Sequence, residues 1–179
     1  MREPGPDMTE RASFARLEHD REGLIVTVAG LRSGAAATAG ALAAVGAAGV
    51  PVDMLTMVPS GTGVTELRFV VARTDRPAVL TALAGARGQL GATPVRCDED
   101  VARLTLHGAG LRADATVVPT FQEALLRAGV RTLTMSNSDQ RITAMCPLAS
   151  LPRAVGALRE AFECPVDPPV PALTSTKFR

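Results

Sequence analysis

The chain of 179 residues carries 19 Lys and Arg against 18 Asp and Glu, so no whole-molecule field favours nucleic acid or an anionic membrane. Trp and Tyr are absent and the five Phe are scattered, which leaves no stacking platform for single-stranded nucleic acid. The length suits one core of ordinary size or two small ones.

Met1 to Arg11 is charged and contains proline, unlike a signal peptide. Leu24 to Val28 is a β-branched apolar run closed by Ala29-Gly30, and it reads as a buried strand. The Ala-rich stretch from Gly34 to Gly49 predicts a helix that Gly49 ends. Gly34 to Val52 carries no charge, yet Ala and Gly partition weakly into lipid and Asp53 follows at once, so a packed helix is expected and not a membrane span. Val50 to Val58 and Val64 to Val71 read as strands around a tight turn at Ser60 to Gly63. Thr74-Asp75 offers an N-cap, Pro77 a first helical turn, and Val79, Leu80, Leu83, Ala86 and Leu90 one apolar face.

The same order then returns. Val101 to Leu106 reads as a strand, and Val117, Val118, Phe121, Ala124, Leu125 and Ala128 form a helical stripe. Val130 to Met135 and Arg141 to Cys146 read as strands, and Ser150 caps a helix carrying Leu151, Ala154, Val155, Leu158 and Phe162. Leu31-Arg32 recurs as Leu111-Arg112, and Ala48-Gly49-Val50 as Ala128-Gly129-Val130, both about 80 positions on. Two copies of one α+β unit, each an antiparallel sheet with two helices on one face, give the ferredoxin-like plan. The expected divisions are an arm and leading strand over 1–22, repeats over 23–97 and 98–163, and a proline-rich tail over 164–179, an extended arm or a disordered end.

Signs of catalysis are sparse. There is no phosphate loop, no Gly-x-Ser-x-Gly and no Cys-x-x-Cys, and His19 and His107 lack ligand partners at metal spacing. Cys97, Cys146 and Cys164 read as reduced thiols of a cytoplasmic protein. Asp98-Glu99-Asp100 reads as a solvated linker, and His107 as a strand-end structural residue or a base beside Gly108-Ala109-Gly110. The turns Gly30 to Ala36 and Gly108 to Thr116 each lead into a helix N-terminus. Free N–H groups there suit a carboxylate, or the turns are simply strand-to-helix connections.

From Val26 to Phe162 the chain resembles the tandem ACT regulatory region of aspartate kinases, above all the free-standing small subunit. Val50-Pro51-Val52-Asp53-Met54 stands for that family's Ile-Asn-Ile-Asp-Met type strand, and Gly63 to Phe69 for its Gly-Thr-Thr-Asp-Ile-x-Phe hairpin. The acidic linker, the Gly108-Ala109-Gly110-Leu111-Arg112 turn and the closing Ala157 to Phe162 helix match as well. The resemblance implies interleaved domains, with a strand at about Ser13 to Glu18 completing the second sheet. It also implies a homodimer with amino-acid effectors at the interfaces, and the open edges of a four-stranded sheet with a small-residue helix surface suggest pairing sheet edge to sheet edge.

Carried over residue by residue, the ligand site comprises Ser33, Gly34, Ala35 and Ala36 for the effector's carboxylate. Asp53, or Ser138 and Asp139 of a second chain, would take its ammonium, and Met57 and Val58 would face its side chain. The chain departs from the family where Asp-x-Pro-Gly becomes Ser33-Gly34-Ala35-Ala36 and Ser-His-Pro-Gly becomes Ala113-Asp114-Ala115-Thr116. Met57-Val58 replaces a polar Gln-Asn, which disfavours lysine or threonine by about 1–3 kcal/mol for a buried group left unpaired. The expectation is a non-catalytic sensor of a small amino acid, with no cofactor, metal, nucleic acid or membrane, serving an aspartate-kinase-type catalytic subunit. The alternatives are a ligand-free scaffold, or an enzyme in a specialised pathway using His107, Asp139 or Cys146.

Overall fold

The computed structural model describes residues 11–32, 35–59, 63–90 and 94–167. In chain order the elements are β1 (Ser13–Asp20), β2 (Gly23–Arg32), α1 (Ala35–Ala47), β3 (Asp53–Pro59), β4 (Val64–Ala72), α2 (Arg76–Gly85) and α3 (Arg87–Leu90). They continue with β5 (Val95–Asp98), β6 (Val101–Ala109), α4 (Val117–Arg127), β7 (Thr134–Asn137), β8 (Arg141–Pro147) and α5 (Leu151–Phe162). The chain divides into an inserted unit, Glu22–Val101, and a flanking unit built from what precedes and follows it.

The inserted unit holds a sheet in the order β3-β4-β2-β5, with antiparallel pairing at each step. Leu24, Val26, Val28 and Leu31 of β2 pack with Ala37, Ala41 and Val45 of α1 and with Val79 and Leu83 of α2. Ile25 and Thr27, on the other side of β2, are buried as well. Burial on both faces explains why this strand reads as an unbroken apolar run.

The flanking unit holds the order β1-β6-β8-β7, so the strand expected near Ser13 to Glu18 is found at the edge of the second sheet, antiparallel to β6. Phe121, Leu125, Leu158 and Phe162 of α4 and α5 fill its core against Leu17, Leu104 and Leu106. The first residues of the tail lie along the other edge of β1. Leu17 N–H donates to the Pro165 carbonyl at 2.8 Å, and Asp167 N–H donates to the Leu17 carbonyl at 3.0 Å. An Arg16–Asp167 ion pair at 2.9 Å reinforces this rung, and Cys164 is buried in the core of the same unit.

The repeated Ala-Gly-Val is a helix stop used twice. Gly49 and Gly129 take φ of +73° and +66°. Val50 and Val130 then donate their N–H groups back to Val45 and Leu125, the six-to-one bond of a Schellman cap. This corrects two strand boundaries: Val50 and Val130 belong to the caps, so the strands begin at Asp53 and Thr134.

Other boundaries differ too. β2 does not end at Ala29-Gly30 but runs to Arg32 through a bulge, with Gly30 at φ +78° and a register shift between Val28 and Leu31. Asp75 and Ser150 precede α2 and α5, yet neither side chain caps its helix, because each ends a short 3₁₀ turn and is itself helical. The apolar stripe over Val79 to Leu90 breaks after Gly85 into α2 and α3, leaving Leu80 half-buried. Glu99 is more than a solvated linker residue: it pairs with Arg76 at 2.7 Å and Arg73 at 3.6 Å. Of the turn expected over Ser60 to Gly63, only Gly63 lies within the described residues, at φ +74°.

Candidate functional site: the α1 turn and the β3 edge

Sheet register decides which candidate residues can meet. Thr65 of β4 pairs with Leu31 on one side and with Pro59 on the other. The end of β2, the entry to α1 and the end of β3 therefore share one end of the sheet. Ala35 and Ala36 open α1 there, exposed, with no acidic residue in the first turn. Their N–H groups form the positive end of the helix. Ser33 and Gly34 lie outside the described residues.

Asp53 sits at the other end of β3. It pairs with Val70, which pairs with Ile25, seven residues before Arg32. At 3.2–3.4 Å per residue that is roughly 20 Å. The carboxylate and ammonium of an α-amino acid are one carbon apart, so one ligand cannot touch the α1 turn and Asp53 of the same chain. Asp53 instead shapes β3 locally: its Oδ1 accepts the Met54 N–H at 2.8 Å, beside a register shift and a Met54 φ of +51°.

Met57 and Val58 are both about half exposed, on the edge strand. Met57 pairs with Leu67, a core residue, and Val58 with Glu66. Neighbours on a strand point to opposite faces, so the two cannot line one small site together. Met57 shares the helix-covered side with the α1 turn, whereas Val58 faces away beside Glu66, whose carboxylate pairs with Arg68 at 2.9 Å.

Ser138 and Asp139 belong to the flanking unit, in the β7–β8 turn. The Ser138 N–H donates to the Arg141 carbonyl at 2.8 Å, and the Asp139 carbonyl accepts the Leu111 N–H at 3.0 Å. The second candidate turn, which ends at Thr116, is already filled. Asp114 Oδ1 accepts the Thr116 N–H at 2.9 Å and its hydroxyl at 2.7 Å, while Oδ2 accepts the Ala12 N–H at 3.2 Å. The Thr116 bonds, then that from Ala12, hold this carboxyl below the usual range. Val117 N–H donates to the Asp114 carbonyl, and Pro119 has no N–H to offer. A ligand carboxylate would meet a resident carboxylate there. No spacing rule exposes this, because the Asp114–Ala12 contact joins positions 102 apart.

His107 does have a partner: its Nε2 lies 2.9 Å from Glu18 Oε2, across the β1–β6 pair. Glu18 is also paired with Arg16 at 2.6 Å. Burial pushes the Glu18 carboxyl up, but the bonds from Arg16 and His107 outweigh it and leave it lowered. Cys146 is fully buried, and burial pushes its thiol up to about 11, which suits no nucleophile. Among the described residues no group of three metal-ligating side chains occurs, and no helix is long and apolar enough to cross a membrane.

No family model matches the chain. It is 34% identical over 155 residues to an aspartokinase of Mycolicibacterium smegmatis, covering 86% of this chain and 37% of that protein. The chain thus spans little more than a third of that relative's length. The regulatory subunit of aspartate kinase from Thermus thermophilus, in ligand-free form, superposes with a TM-score of 0.78 at 20% identity, covering 84% of this chain and 98% of that one. A crystal structure of aspartokinase alpha and beta subunits gives 0.77 at 22% identity, covering 84% and 99%. The chain is an aspartokinase homologue with the tandem ACT fold of the aspartate kinase regulatory region.

Proposed function

We propose that this chain is a non-catalytic regulatory protein of the aspartate-kinase type, which senses a small apolar amino acid and acts through a homodimer on a catalytic subunit. The observation that carries the reading is coverage: a whole regulatory subunit, 98% of its chain, is matched from end to end. Three free thiols suit a reducing cytoplasm.

The dimer reading rests on β3. It is an edge strand, and Val52, Leu55, Met57 and Val58 expose apolar side chains along and just before it. Such an edge invites pairing with a second copy. In the effector site so formed, the α1 turn takes the carboxylate and Met57 contacts the side chain. Ser138 and Asp139 of a second copy receive the ammonium, because a charge-assisted pair inside an interface needs an anionic acceptor. Asp53, too far from the α1 turn of its own chain, is left to shaping β3 or to a site completed by another copy.

The test is a thermal-shift panel of common amino acids on the purified chain, repeated on Asp139→Ala and Met57→Gln. A small apolar amino acid such as alanine should raise the melting temperature, Asp139→Ala should abolish the rise given by that ligand, and Met57→Gln should move selectivity toward polar side chains. If no amino acid shifts the wild-type chain, the sensing role is wrong and the scaffold reading takes its place.

A further inference from the structure

The filled turn of the flanking unit borders a cavity. It measures about 570 Å³ and opens between the first residues of β1, the start of α4 and the end of α5. That volume lies within the range of small-molecule sites, roughly 300–1,000 Å³. Its apolar wall includes Phe14 and Phe162, which meet edge to face with ring centres 4.8 Å apart, and Val117. Phe14 is 36% exposed, so this aromatic surface is open to a ligand. Thr116 and Thr120 bring hydroxyls to the lining.

Two lining residues are charged, Arg11 and Asp114. The Asp114 carboxylate is held by three hydrogen bonds, from the Thr116 N–H and hydroxyl and from the Ala12 N–H. Two carboxylate oxygens offer about four acceptor sites, so one direction stays available on Oδ2. A fixed anion beside an aromatic wall recognises an ammonium attached to an apolar group, and Arg11 supplies the complementary charge for a carboxylate.

We propose that this cavity is a second amino-acid site, contained within the flanking unit, that takes an α-amino acid with an aromatic or branched apolar side chain. Asp114 receives the ammonium, Arg11 the carboxylate, and the Phe14–Phe162 edge and Val117 the side chain. The inference does not rest on the α1-turn site, since it needs no second copy and none of that site's residues.

Three probes separate the parts: L-phenylalanine, phenethylamine, which keeps only the ammonium, and 3-phenylpropionate, which keeps only the carboxylate. Each is titrated into the full chain and followed by backbone amide shifts. L-phenylalanine should move the amides of Phe14, Thr116, Thr120 and Phe162. Asp114→Asn, which can still accept the Thr116 N–H, should weaken L-phenylalanine and phenethylamine by about tenfold or more and leave phenylpropionate unchanged. Arg11→Gln should weaken L-phenylalanine and phenylpropionate and spare phenethylamine. Asp139→Ala and Met57→Gln should change nothing here, whatever they do at the α1 turn.

No shift up to about 10 mM L-phenylalanine, far weaker than a useful site of this size, overturns the proposal. So does binding that ignores Asp114→Asn in a variant that melts like wild type. Binding that appears only after residues 1–10 are removed also overturns it, because the cavity would then seat the chain's own N-terminus.

Discussion

Gly108→Ala should loosen one unit and spare the other. Gly108 lies in β6 opposite Phe14, and a Cβ there would stand 2.2 Å from the Ser13 carbonyl oxygen and 2.7 Å from Leu111 Cδ2. The Leu111 side chain can turn aside, but the Ser13 carbonyl is backbone and can move only if the start of β1 retreats. Overpacking of this kind costs about 1–3 kcal/mol, and losing the Phe14–Phe162 edge contact adds about 0.5–1.5 kcal/mol. A loss of about 2–4 kcal/mol is expected, a fall of about 1–2 M in the urea midpoint for a slope near 2 kcal/mol/M. Hydrogen exchange should place the loss in the flanking unit, with the β2 and β4 amides of the inserted unit unchanged. Gly156→Ala is the matched control: it is an exposed α5 position where an added Cβ meets nothing within 4 Å. It should stabilise by up to about 1 kcal/mol through helix propensity. If Gly108→Ala lies within about 0.5 kcal/mol of wild type and the β1 amides stay protected, the close-approach argument fails.

Glu18 has a lowered folded-state pKa, so its contribution is present above the usual carboxylate range and is lost as pH falls through the depressed value. Glu18→Gln should therefore reduce the urea midpoint near pH 7 and converge with wild type as the pH falls through the lowered value; a difference that stays constant as the medium is acidified would count against the Arg16–Glu18–His107 cluster. Leu55→Lys with Met57→Lys puts charge on the exposed edge of β3 and should give a monomer by sedimentation with an intact fold; an unchanged association state would remove β3 from the interface. Cys146, buried and with its thiol pushed up to about 11, should react with thiol reagents at about pH 8 only as fast as the flanking unit opens. Equal labelling rates in folded and urea-unfolded protein would refute that burial.

Local patterns carried much of this fold into view. The apolar runs at Leu24 to Val28 and Arg141 to Cys146, the α4 stripe through Phe121 and Leu125, and the paired Ala-Gly-Val segments each reflect contacts within a few residues. The strand starts were missed because the valine after each glycine is apolar and β-branched whether it opens a strand or closes a Schellman cap. The expected caps at Asp75 and Ser150 failed because a 3₁₀ turn leaves no clear compositional mark.

The site was less legible, since its geometry is set across strands. Period-two alternation alone separates Met57 from Val58, but the distance of Asp53 from the α1 turn appears only once β3, β4 and β2 are in register. The Glu18–His107 pair and the Asp114–Ala12 bond join positions 89 and 102 apart. Separations of that size follow from topology and leave no periodic trace.

The insertion of one unit inside the other governs the order in which the molecule can form. β1 leaves the ribosome first, yet its partner β6 and the Pro165–Asp167 rung come only after the whole inserted unit. Closing a flexible loop of about 80 residues to join β1 with β6 would cost roughly 4 kcal/mol of chain entropy. The inserted unit removes most of that cost when it folds, because its first and last strands are neighbours: Ile25 pairs with Asp98. Once β2 and β5 are zipped, β1 and β6 emerge from adjacent points, and a long-range pairing becomes a nearly local one. Anything that steadies the inserted unit then also speeds and secures the assembly of its neighbour.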